Sequence, residues 1–291
     1  MFTQFFGQYL LNKKYLTPKQ LHDGLEYQKE TRLKLGVLAV NAGYMTANQT
    51  DEVNQAQKKL DKKFGEIAVE MGYLKEDQVE ELLSSQKFGH LLLGQALVDK
   101  EYMTLQEFEK AIKEYKNDYS ISDKEFDAIQ KDDINEMINK FIKFQDSNKE
   151  DVLKCYLGLM MRNLIRFIDN EAVIDEVVKL EEYKCNFVAK QDINGKVSLS
   201  TFIEAEEKSF IKFASKYAEE ELNSIDEMAE ASVSEFLNLH NGIFLVNMSN
   251  MGMELEMTPQ EVYSGIKIEN TYKISVNLSF GKINILIKEN I

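Results

Sequence analysis

Cysteine is scarce. Cys155 and Cys185 are the only two in 291 residues, too few for a disulfide framework or a thiolate zinc site. A reduced, cytoplasmic chain is the simplest expectation. Proline occurs twice, and no low-complexity linker is present. Positive charge is outweighed: 35 Lys and Arg face 49 Asp and Glu, a net charge of −14. That balance argues against a nucleic-acid backbone binder, which would need a basic stripe, and disfavours an anionic membrane surface. No apolar run approaches the roughly 20 residues a membrane span needs. The opening MFTQFFGQYLLNKKY lacks the basic start and cleavage site of a signal peptide. His22, His90 and His240 lie far apart with no ligand spacing, so no metal site is expected on this chain. What remains is ample for folding. Hydrophobic residues make up 44%, and the length fits two domains better than one.

The first third of the chain repeats itself. The segments FGQYLLNKKYLTPKQL, LGVLAVNAGYMTANQT, FGEIAVEMGYLKEDQV and LGQALVDKEYMTLQEF align with glycines at Gly7, Gly36, Gly65 and Gly94 and tyrosines at Tyr15, Tyr44, Tyr73 and Tyr102, a step of 29 residues. Each unit reads as a helical hairpin. A short apolar helix ends at a glycine such as Gly43 or Gly72, where a left-handed residue closes a helix. A capping box, Thr17 with Gln20 or Thr46 with Gln49, then opens the next helix. Pro18 sits at a first helical position, where its missing N–H is not needed. Leu21 and Leu25, echoed by Val79 and Leu83, supply an apolar face that one hairpin cannot bury alone. Four 29-residue hairpins are expected to stack into an all-helical domain over residues 1–116.

These units resemble the GspE N-terminal, or MshEN-like, family of secretion and pilus ATPases. The resemblance covers about 110 residues and implies, for some members, binding of cyclic di-GMP through an arginine before the glycine. Here Phe5, Lys34, Lys63 and Leu92 hold that place, and lysine lacks the planar fork of arginine. The candidate nucleotide residues are therefore Lys34, Gly36, Lys63 and Gly65, with a packing scaffold as the other reading.

Residues 117–150 read as a polar helical linker containing a further capping box, Ser122 with Glu125. Leu153, Leu157, Met160, Met161 and Leu164 then predict a strong amphipathic helix. From about residue 171 the period changes to two. Asn194-Gly195 between two alternating runs predicts a hairpin. Ile274, Val276, Leu278 and Phe280 are expected on one face of a late strand, and Ile283, Ile285 and Ile287 form another set. The fold class expected for 151–291 is α+β, an antiparallel sheet with helices packed on one face.

Within it lies EASVSEFLNLHNGIF, residues 230–244. Read as a helix over 225–244, it sets Ile225, Met228, Ala229, Ser232, Phe236, Leu239 and Ile243 as an apolar stripe. Glu235 and Asn238, three apart, share a different face. His240 lies nearly opposite Asn238. The acids Glu219, Glu220, Glu221, Asp226, Glu227 and Glu230 read as a solvated face.

The region 151–291 resembles the CheX/CheC family of chemotaxis phosphatases, CheX above all. The family pattern is an acid or serine, three intervening residues, a glutamate, two intervening residues, an asparagine, then a proline just over twenty residues on. Glu235 and Asn238 match its core, and Pro259 follows 21 positions after Asn238. Ala231 stands where the family has serine or aspartate. The resemblance implies hydrolysis of the aspartyl-phosphate of a response regulator of the CheY type. Asn238 would hold the attacking water and Glu235 would pair with a lysine of the regulator, whose own divalent metal neutralises the phosphoryl group. No cofactor is then needed on this chain. The other reading is a non-catalytic adaptor whose N-terminal repeats bind a partner or cyclic di-GMP. A homodimer is expected under both, because the long C-terminal strands leave an edge to cover.

Overall fold

The computed structural model describes residues 2–84, 89–131 and 133–290. Among them the chain is α+β, with thirteen helices and a seven-stranded antiparallel sheet. Two compact units divide it, Phe2–Asp133 and Ile134–Ile291. No described helix is long and apolar enough to cross a membrane.

The first unit holds α1 (Phe2–Asn12), α2 (Pro18–Tyr27), α3 (Leu35–Asn41), α4 (Ala47–Gln57), α5 (Phe64–Glu70), α6 (Glu76–Ser84), α7 (Gly89–Asp99), α8 (Leu105–Asp118) and α9 (Asp123–Gln130). Reciprocal capping boxes start α2, α4, α8 and α9, at Thr17/Gln20, Thr46/Gln49, Thr104/Glu107 and Ser122/Glu125; each cap is worth about 1 kcal/mol. The left-handed residue between helices recurs at Lys14, Gly43, Gly72 and Glu101, with φ of 61°, 72°, 75° and 57°.

The spaced glycines have a steric cause. A Cβ on Gly7 would stand 3.1 Å from Leu21, and one on Gly65 would stand 3.0 Å from Val79. On Gly36 it would strike Thr50, and on Gly94 the ring of Phe108. Each glycine thus lets its helix approach the residue fourteen positions on. The tyrosines reach farther. Tyr44 Oη donates to Glu81 at 2.8 Å, and Tyr73 donates to Glu52. Tyr102 donates to Asp23 at 2.5 Å, and Tyr15 to Glu114 at 2.9 Å. The partners exchange reciprocally: the second segment with the third, the first with the fourth.

The second unit contains α10 (Ile134–Phe141), α11 (Glu150–Phe167), α12 (Glu207–Ala218) and α13 (Glu227–Asn250). Its strands are β1 (Val173–Lys184), β2 (Phe187–Gly195), β3 (Leu199–Ala205), β4 (Leu255–Met257), β5 (Glu261–Ser264), β6 (Lys267–Leu278) and β7 (Gly281–Glu289). They lie in the order β1-β6-β7-β3-β2-β4, and β5 also pairs with β2. Helices α12 and α13 pack on this sheet, and α11 packs on α13. The stripe of α11, Leu153, Leu157, Met160, Met161 and Leu164, is buried.

Three details differ from the sequence reading. The β6 and β7 sets share one face, because Ile274 pairs with Ile285 and Val276 with Ile283; directly opposed residues of antiparallel strands project to the same side. Asn194 and Gly195 are not a two-residue turn: they pair with Glu256 and Leu255 of β4, and β3 resumes only at Leu199. The late strands β6 and β7 are interior, and the long edge strand is β1.

Candidate functional site

The site is built on α13. Asp226 Oδ1 accepts from the Ala229 N–H at 2.9 Å and so starts the helix at Glu227. The helix runs on to Asn250, past the expected end at 244. Its buried arc is also wider than one stripe. Ala229, Ser232 and Phe236 are inside as expected, joined by Val233, Leu237, His240, Asn241, Phe244 and Met248. Met228, at 48% exposure, is outside it. The cause is that α13 is flanked by α11 and α12 as well as the sheet.

Glu235 is exposed and Asn238 half-buried. Ala231 and the acids Glu219, Glu220, Glu221, Asp226, Glu227 and Glu230 are exposed too. Beside them lies the connection Thr258-Pro259-Gln260 between β4 and β5. Gln260 Nε2 donates to Glu235 Oε2 at 3.4 Å. The Thr258 hydroxyl accepts from the Asp192 N–H at 3.2 Å, and the Thr258 N–H donates to the Asp192 carbonyl at 2.9 Å. Pro259 thus belongs to a loop clamped to β2 that touches Glu235. Tyr217 lies close as well: its phenol pKa is raised by burial first and by the Glu235 carboxylate second.

Behind Asn238 lies a buried polar chain that the sequence did not reveal. Gln191 Nε2 donates to Asn238 Oδ1 at 2.9 Å and to the Thr258 carbonyl at 2.8 Å. Gln191 Oε1 accepts from Asn241 Nδ2 at 2.8 Å. Asn241 also donates to Thr201 Oγ1 at 3.0 Å and accepts from the Tyr156 hydroxyl at 2.9 Å. The signal that could have found Gln191 is its place in β2. Ala189, Gln191 and Ile193 point inward together, so an amide interrupts an apolar face. His240, on the far side of α13, is fully buried against the edge of Tyr156 with its Nδ1 3.2 Å from Asn163 Nδ2. Burial, and secondarily the Arg162 charge, push its pKa down to about 3. It is neutral at pH 7 and turned away from Asn238.

The other sequence candidates lie in the first unit. Lys34 and Gly36 border a cavity of about 300 Å³ shared with Thr50, Asn54, Phe64 and Gln95. The Lys34 ammonium is bridged to Asp99 at 2.6 Å. Lys63 is exposed at the start of α5, and Gly65 borders a second cavity lined by Glu66, Glu70, Glu76 and Glu80. Lysine and glycine of each pair are adjacent through the chain; among the described residues Asp51 is the one carboxylate lining the first cavity, whereas four glutamates line the second. No group of three or more His, Cys, Asp or Glu side chains is placed to hold a metal among the described residues.

Residues 187–284 match the family described as "Chemotaxis phosphatase CheX". The matched region runs from β2 into β7 and includes α13. No curated protein matches the chain. Among solved structures, a chemotaxis protein CheX from Desulfovibrio desulfuricans is 15% identical, with 48% of this chain and 99% of that one covered at a TM-score of 0.43. A CheC-like superfamily protein from Shewanella sp. PV-4 is 21% identical, covering 47% and 96%, TM-score 0.43. A CheX–CheY–BeF3–Mg complex from Borrelia burgdorferi is 18% identical, covering 48% and 99%, TM-score 0.43.

Proposed function

We propose that the chain is a CheX-type phosphatase that hydrolyses the aspartyl-phosphate of a response regulator of the CheY class in chemotaxis signalling. The observation that carries this reading is the pairing, within a CheX-family region, of exposed Glu235 with an Asn238 whose carboxamide is anchored from behind. An acyl phosphate is already reactive, so the enzyme's task is to place a water in line with it. Asn238 Oδ1 is engaged by Gln191, which leaves its NH2 to donate to the water oxygen. The water's other lone pair then faces phosphorus. Glu235 binds a cationic side chain of the regulator and aligns the two proteins. The divalent metal of this reaction belongs to the regulator. The test is phosphate release from a phosphorylated regulator, with the parent protein and with Asn238→Ala. Acceleration by the parent, lost in the variant, supports the reading; no acceleration by the parent sinks it.

The first unit supports a second proposal. Its glycines, left-handed residues and tyrosine–carboxylate pairs all recur with the 29-residue step, which favours an array of four hairpins of the GspE/MshEN type over residues 1–116. Residues 117–150 then act as a helical linker ahead of the CheX-type domain at 151–291. In this alternative the chain is an adaptor, and cyclic di-GMP or a protein partner is bound beside Lys34 and Gly36, with Lys63 and Gly65 as the sister position. Calorimetry with cyclic di-GMP separates the two: binding lost in Lys34→Ala favours the adaptor, and silence at high ligand removes nucleotide sensing. A homodimer through the β1 edge is checked by sedimentation, and a monomer at all concentrations would dismiss it.

A further inference from the structure

We infer that Gln191 is a positioning residue: it decides which way round the Asn238 carboxamide points, with the oxygen inward and the NH2 outward. A half-exposed asparagine on a helix has no inherent reason to prefer one orientation over its reverse. The two differ only in which atom meets which partner. Here donor and acceptor accounting leaves a single answer.

The chain of amides is pinned at two main-chain carbonyls, which can only accept. The Thr258 carbonyl, 2.8 Å away, requires the nitrogen of Gln191 on its side. The other hydrogen of that nitrogen then meets Asn238, which must offer its oxygen at 2.9 Å. The Gln191 carbonyl, at 2.8 Å, takes the Thr201 hydroxyl proton. Thr201 Oγ1 must therefore accept from Asn241, so the Asn241 nitrogen faces it. Asn241 Oδ1 is left for the Tyr156 hydroxyl, and Gln191 Oε1 for the second hydrogen on Asn241. Every amide in the chain is consistent with its neighbours. Reversing Asn238 alone would set two NH2 groups against each other with no acceptor between them. Gln191, Thr201 and Asn241 are each at most 1% exposed, so water does not relieve that clash. Asn238 Nδ2, by contrast, makes no hydrogen bond among the described residues, and it is the atom left for solvent.

The consequence for rate rests on the phosphatase reading above; the orientation itself does not. Gln191→Glu is the sharp test. It keeps size and shape; with its carboxyl ionised, or with its one hydroxyl proton given to the Thr258 carbonyl, it sets an acceptor against Asn238, and Asn238 turns its NH2 inward. The full chain, labelled with 15N-asparagine, reports this through water exchange of the Asn238 side-chain amide, assigned by its loss in Asn238→Ala. Expected is free exchange in the parent and a slowing of about tenfold or more in Gln191→Glu, as the NH2 moves from water into a buried bond. With a phosphorylated regulator, kcat falls about tenfold or more while KM stays put, because one oriented donor to the water is lost. Gln191→Met, which removes the steering without reversing it, gives intermediate exchange and guards against a Gln191→Glu chain that fails to fold. An Asn238 amide protected in the parent, or exchanging alike in parent and variants, overturns the assignment. If the parent releases no phosphate while exchange behaves as stated, the phosphatase reading falls and the positioning role stands. If the parent releases phosphate and Gln191→Glu matches it in kcat, the positioning role falls and the phosphatase reading stands.

Discussion

The two units handle buried polar groups in opposite ways. In the first, such groups make isolated joints between helices. Gln130 accepts from Asn41, and Gln95 joins the Lys34 N–H to Asp99. Packing there is governed by steric room, with glycines set where a neighbouring side chain leaves none. In the second unit, buried amides and hydroxyls form a continuous line from Tyr156 on α11 through Asn241 and Gln191 to Asn238 at the surface. A buried polar network is costly unless every member is satisfied. Its survival in the interior of a sheet–helix core marks the end of the line as the place where orientation matters. The difference teaches where to look for chemistry: in the first unit substitutions report on fit, and in the second they report on hydrogen-bond direction.

That contrast can be broken by substitution. The largest stability effect is expected from Asn241→Ala in the second unit, which strands the Tyr156 hydroxyl, Gln191 Oε1 and a lone pair of Thr201. A loss of about 3 kcal/mol in denaturant unfolding is expected; a loss below a third of that would show that the network is not under strain when cut. Next comes Gly94→Ala in the first unit, where one methyl meets the buried Phe108 ring, with a loss of about 2 kcal/mol. Gly43→Ala has open space around it but a φ of 72°, so about 1 kcal/mol is expected from backbone strain alone. If Gly43→Ala proves as harmful as Gly94→Ala, steric room is not what spaces the glycines.

The smallest effect is one the units share. His90 and His240 are both buried, and burial lowers each pKa to about 3. An unfolded histidine binds a proton near pH 6.5, so the unfolded state gains protons first as the pH falls. Stability contributed by each neutral ring is fully present above pH 6.5 and is lost as pH falls from there toward 3. Between pH 7 and 6 the loss is about 0.7 kcal/mol per histidine. Replacing His240 should remove the share of the second unit and leave that of the first; an unchanged pH slope would contradict the buried, neutral state.

Sequence patterns reveal local geometry better than cross-chain contacts. The capping boxes, the α11 stripe and the placing of Glu235 one turn before Asn238 on α13 follow from spacing on one helix, where three residues fix a direction. The 29-residue step was visible in glycine and tyrosine. Its chemical purpose was not, although Asp23, Glu52 and Glu81 recur at the same step and receive three of the four tyrosines. The shared face of β6 and β7 was missed because register, not alternation, decides which sets meet. Gln191, Thr201, Asn241 and Tyr156 come from four different elements, and nothing local announces that they touch. The weak clue was an amide among inward-facing β2 residues.

The proposed function divides the labour within one turn of α13: Glu235 to hold the partner, Asn238 to act on the water. Steady-state phosphate release from a phosphorylated regulator, measured for the parent, Glu235→Ala and Asn238→Ala, tests it directly. Expected are a raised KM with kcat largely kept for Glu235→Ala, and a kcat lower by about a hundredfold with KM kept for Asn238→Ala. Equal kcat and KM for all three proteins would contradict it.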